Sequence, residues 1–147
     1  MNKSCFRVIR NLIIVSLFAV ALLIFPEKIV NAKTDPVVQI YNYTGAGPRL
    51  HYRDGSVTFI FKANVSGTVT ATLSNYTYAD FSGHTSASSN LGVNQERYFY
   101  VRGNEVTSNP NTNIIVEFVP DDTNTYNNFS TTIPILSIEK AIPSLSL

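Results

Sequence analysis

Cysteine is close to absent from this chain. Its 147 residues include one, Cys5, which comes before the long apolar run and not after it, where a lipidation cysteine would stand. It therefore reads as an incidental thiol in a segment that is discarded. The rest of the chain has none, which excludes a thiol nucleophile, a thiolate metal site and a disulfide framework there. A domain built from it is held by apolar packing and inter-strand hydrogen bonds. Charge is scarce too: after residue 32, seven Lys or Arg face nine Asp or Glu, a net charge of −2 with no basic run. That removes the electrostatic basis for binding nucleic acid. Histidine is limited to His51 and His84, each beside turn-forming residues and neither spaced with a second metal ligand. There is no G-x-S-x-G, and Ser56, after Asp54-Gly55, reads as the start of a strand. No acid, base and pocket are displayed together. The expectation is no enzyme and no cofactor.

What is present starts with a secretory pattern. Lys3, Arg7 and Arg10 form a basic lead, residues 12–25 are apolar except for Ser16, and Val30-Asn31-Ala32 offers a small-residue cleavage site. The apolar run falls short of the roughly 20 residues a spanning helix needs. Residues 1–32 are thus expected to be a signal-peptide helix that is cleaved, giving a secreted or cell-surface product that meets the membrane only through this segment.

After residue 36 nearly every apolar cluster alternates with a period of two between Gly, Pro, Asn or Asp, the mark of half-buried strands. No amphipathic helix is visible. The pattern predicts strands over residues 37–43, 56–65, 67–74, 76–81, 97–102, 112–119 and 131–138. In the second, Val57, Phe59, Phe61 and Ala63 share a face, with Thr58, Ile60 and Lys62 on the other; in the third, Val69, Ala71 and Leu73 point inward against Thr68, Thr70 and Thr72. Residues 82–94 are small and polar and read as a loop or a weak edge strand. Pro134 lacks a donor N–H, which favours an edge or a bulge. About seven strands in 115 residues point to an all-β antiparallel sandwich.

Two stretches are more specific. An alternating strand at 114–119 runs into Pro120-Asp121-Asp122-Thr123-Asn124-Thr125-Tyr126, and the next strand ends in Lys140-Ala141-Ile142-Pro143. Together they resemble the closing signature of bacterial and archaeal Ig-like domain repeats, a strand into P-x-D-x-x-N-Y and a K-A-x-P junction, with Thr125 inserted before Tyr126. Gly67-Thr68-Val69-Thr70-Ala71 is similar to that family's G-T-V-T-F, with Ala71 in the aromatic place. The resemblance implies an Ig-like sandwich over residues 33–140, repeated in tandem on adhesin-like surface proteins. It implies neighbouring repeats as partners and transfers no catalytic residue. Lys140-Ala-Ile-Pro also echoes Lys33-Thr-Asp-Pro, 107 positions earlier, so residues 141–147 are expected to begin a following repeat or form a C-terminal tail.

Within the signature, Pro120 is expected to end a strand, Asp121, Asp122 and Asn124 to bond local backbone, and Tyr126 to cover one end of the sandwich. Asp121 and Asp122 are also weak candidates for a calcium site, although the D-x-D-x-D-G spacing is missing. Asn42, Asn64, Asn75 and Asn128 each open an N-x-[ST] sequon. In a chain so rich in Asn, Ser and Thr, sequons also arise by chance. The function expected is a non-catalytic spacer or adhesive contact module, meeting a host or cell-surface protein or a glycan through loops, an outer sheet face or a free edge strand. Eight tyrosines raise an alternative, a carbohydrate-binding module, which needs several of their rings exposed on one platform. A small hydrolase would need His51 or His84 within hydrogen-bond reach of a Ser or a carboxylate.

Overall fold

The structure, a computed structural model, describes residues 32–140; the signal-like segment 1–31 and residues 141–147, with Ala141 and Pro143 of the junction, lie outside the described residues. The described chain is all-β. Its strands are β1 (Val38–Tyr41), β2 (Arg49–His51), β3 (Phe59–Ala63), β4 (Gly67–Leu73), β5 (Ala79–Asp80), β6 (Ser86–Leu91), β7 (Glu96–Phe99), β8 (Arg102–Gly103), β9 (Asn113–Pro120), β10 (Phe129–Pro134) and β11 (Ser137–Glu139). A three-stranded sheet has the order β1-β3-β7 and a four-stranded sheet the order β10-β9-β4-β6, with β11-β2 and β5-β8 as small pairs.

The alternation in the sequence decides how the larger sheets meet. Phe59, Phe61 and Ala63 of β3 point into the core, as do Val69, Ala71 and Leu73 of β4 and Ile114, Val116 and Phe118 of β9. The Phe61 ring lies 5.4 Å from Phe118 and 6.5 Å from Phe129, so residues of one sheet pack directly on residues of the other. Phe59 stacks on Phe99 at 4.6 Å, and Phe81 meets Phe99 edge-on at 6.4 Å. The result is β-sandwich-like, with one core between two sheets. Each ring taken fully out of water contributes about 1.5–3 kcal/mol of transfer free energy.

Several expected strands are redrawn. The described residues form eleven short strands and not seven, and the pairing is not wholly antiparallel: β11 runs parallel to β2, with Ile138 opposite Leu50. The 56–65 strand begins only at Phe59, because Thr58 turns its side chain inward. Its Oγ1 accepts from the Val101 N–H and donates to the Val101 carbonyl, replacing ladder bonds with side-chain ones. The 97–102 run divides at Tyr100 into β7, paired with β3, and β8, paired with β5. Residues 76–81 retain only β5 as a strand, with Tyr76 left exposed. The 131–138 run breaks after Pro134, where Ile135 N–H bonds Thr112 O and Leu136 N–H bonds Pro48 O as the chain crosses from β9 to β2. Pro134 ends β10, which is an edge strand. Residues 82–94 contain β6, the opposite edge of the same sheet.

Candidate functional site

Three places gather the side chains singled out by the sequence. The first is the outer face of the three-stranded sheet. Register sets Tyr41 opposite Ile60 and Ile60 opposite Tyr98, so two tyrosines bracket one isoleucine on a single rung. The neighbouring rung carries Gln39, Lys62 and Glu96. Tyr41, Tyr98 and Tyr100 are 37%, 42% and 47% exposed. Both phenols converge on one carboxylate: Tyr41 Oη donates to Glu96 Oε1, and Tyr98 Oη donates to Glu96 Oε2 at 2.9 Å. The two hydrogen bonds hold the Glu96 carboxyl below the usual range, Tyr41's first and Tyr98's second, with Lys62 adding to them. In return the Tyr41 phenol is pushed up to about 12, chiefly by its bond to Glu96. Tyr98 is raised for the same reason. The outcome is a fixed, shallow platform with an aromatic edge on each side and its charge already engaged.

Sequence reading named the tyrosines here, and set Ile60 and Lys62 on the face opposite Phe59 and Phe61, but did not name Glu96. The Glu96/Tyr98 spacing of two residues was the local signal that they share a face. Tyr41 joins them only through the register of β1 on β3, which no local pattern encodes. The other tyrosines fall elsewhere: Tyr43, Tyr52, Tyr78 and Tyr126 are half-buried and Tyr76 is exposed on a loop.

The second place is the loop of the resemblance. Pro120 is buried at the end of β9 opposite Gly67, and Asp121 N–H bonds Ser66 O at 3.0 Å. Asp122 Oδ1 accepts the N–H groups of Asn124 and Thr125 at 3.1 and 3.2 Å. The Thr125 side chain first, and then these backbone N–H groups, depress the Asp122 carboxyl. Tyr126 N–H closes the turn on Asp122 O. The turn then presents Thr125 O and Asn127 N–H to Thr34, at 2.9 and 3.0 Å, and Asn127 Nδ2 reaches Asp35 Oδ1 at 2.8 Å. The loop thus ties down the start of the domain. Asp122 is occupied by backbone amides, and among the described residues no group of three His, Cys, Asp or Glu side chains gathers to hold a metal ion. Lys140 is exposed at the end of the described residues, just past Glu139 of β11.

The third is a cleft of about 280 Å³ lined in part by Asn42, Arg49, His51, Ser56 and Thr58. It brings His51 and Ser56 to one hollow but does not join them. The Ser56 hydroxyl bonds Asp54 at 3.2 Å, whereas His51 Nδ1 is buried without a hydrogen-bond partner. His84 is exposed on a separate turn, where its backbone pairs with Phe81. Among the described residues, neither histidine side chain has a serine or carboxylate in hydrogen-bond contact.

Of the sequon asparagines, Asn42 donates to Val57 O, Asn64 accepts from Val37 N–H and Asn75 accepts from Thr77 N–H. Asn128 is exposed beside β10. Compared with protein-family models, with curated proteins and with solved structures, the chain finds no match in any of the three.

Proposed function

We propose that residues 33–140 are a non-catalytic Ig-like module of a secreted or cell-surface protein, serving as a spacer or an adhesive contact domain. The observation that carries this reading is the strand order. With β1, β3 and β7 taken as A, B and E, and β4, β6, β9 and β10 as C, C′, F and G, the sheet orders read A-B-E and G-F-C-C′, which supports an Ig-like sandwich. Where antibody domains bridge B and F with a disulfide, Phe61 and Phe118 meet ring to ring at 5.4 Å. The signature loop, by binding Thr34, fits a junction that must keep its shape under load. Antibody against residues 33–140, applied to intact producing cells and to their medium, is the direct test. Label outside the cells is expected; label that appears only after permeabilisation overturns the reading.

A second reading is favoured by the tyrosine platform, whose rings are exposed on one face. Apolar faces of pyranose rings stack on such surfaces, so a glycan is the contact this face suits. The chain has no tryptophan, so its tyrosine emission reports binding without interference. Titration with a panel of polysaccharides is expected to change that emission, and Tyr98→Ala to abolish the change; a flat response to the whole panel removes this reading.

A further inference from the structure

We infer that β6 is a self-association edge, at which a second copy of this chain pairs antiparallel through its own β6 and joins two four-stranded sheets into one. Exposed edges are normally blunted by charge, proline, bulges or shortness. Three of the four edges of the two larger sheets are blunted in this way. β10 ends in Pro134, β7 carries Glu96 and Arg97, and β1 is four residues long and stopped by Asn42 at φ 83°. β6 has none of these devices. Its six residues, Ser-Ala-Ser-Ser-Asn-Leu, hold no charge and no proline, and its register with β4 runs from Gly67–Leu91 to Thr72–Ser86 without a skipped residue.

The ladder also shows which backbone groups face away from β4, where the Asn90 carbonyl takes one long bond, from Ser89 Oγ at 3.4 Å. Leu73 N–H bonds Thr85 O, which fixes the hydrogen-bonded pairs of this antiparallel ladder on Thr85, Ala87, Ser89 and Leu91. Ser86, Ser88 and Asn90 therefore turn their N–H and C=O groups away from β4, along the open edge, and all three residues are exposed. The close Thr70–Ser88 hydroxyl contact at 2.9 Å is what a non-hydrogen-bonded pair gives.

This spacing is self-complementary. An antiparallel second copy centred on Ser88 sets Ser88 against Ser88 and Ser86 against Asn90, an isologous contact of small, uncharged side chains that forms about six backbone hydrogen bonds. A charged partner strand finds no counter-charge on this edge, whereas a second copy meets no repulsion. The contact needs only the strand and its edge, so it stands or falls separately from the Ig-like reading.

Sedimentation velocity of the full chain, from micromolar to about 1 mM, is the test. A concentration-dependent dimer is expected. Ser86→Lys, which removes no side-chain hydrogen bond and places an ammonium on the edge, is expected to weaken it at least tenfold while leaving the thermal transition in place. With Cys5 replaced by serine, Ser88→Cys is expected to give a disulfide-linked dimer under mild oxidation. A chain that stays monomeric throughout, or a dimer unchanged by Ser86→Lys and not trapped by Ser88→Cys, overturns the inference.

Discussion

Gly67 begins β4 at a point where there is no room for a side chain. A Cβ there would lie 2.4 Å from the Val119 carbonyl oxygen and 2.6 Å from the Phe118 ring, and the carbonyl belongs to the facing strand. Gly67→Ala is therefore expected to cost about 1–3 kcal/mol, read as a lowered denaturation midpoint at unchanged slope. At the platform, chemistry and not space is the constraint. The Tyr41 bond to Glu96 raises the phenol from 10.0 to about 12, so whatever it contributes to folding is fully present below pH 10.0 and fades as pH rises through about 12. The depressed Glu96 has the opposite sense: its contribution is present above the ordinary 4.5 and fades as acid protonates it. An absorbance titration should show phenol ionisation extending up to about pH 12, and Glu96→Gln should draw that late part back down. Unchanged late ionisation in that variant would remove Glu96 as the cause.

Among the elements, β4 and β9 were legible in the sequence because their alternation runs without interruption and every inward residue is apolar. β2 was not. Arg49-Leu50-His51 has one apolar residue between two polar ones, and it becomes a strand only because β11, far along the chain, lies parallel beside it. The break at Tyr100 was hidden for a related reason, since the tyrosine's neighbours are all good strand formers and the change of partner is tertiary. The signature loop was readable as a turn, but its hold on Thr34 was not, because 92 positions separate Asp35 from Asn127. Asp122→Ala should loosen this tie. Faster amide exchange at Thr34 and Asn127 is expected, with β4 and β9 unaffected, and protection that survives the substitution would show that Asp122 does not set the turn.

For the whole molecule, cohesion between the two larger sheets rests on aromatic contact, with no cysteine among the described residues to supply a covalent bond. Phe61→Ala and Phe118→Ala should each cost about 3–5 kcal/mol, and the double variant less than their sum, because each single change already empties the shared space. Additive losses in chemical denaturation would mean that the rings act independently. The two ends of the domain carry a further consequence. Upstream, Thr34 is held by the 121–128 loop; downstream, β11 lies parallel to β2. Opposite pulls on Lys33 and Lys140 load the Thr34 tie and the β1–β3 ladder at one end and the parallel β2–β11 pair at the other. Single-molecule stretching between those two residues therefore tests most directly whether this is a load-bearing module. The expected trace is one cooperative rupture that releases 107 residues, roughly 350–380 Å less the folded span. Smooth extension with no force peak would contradict it.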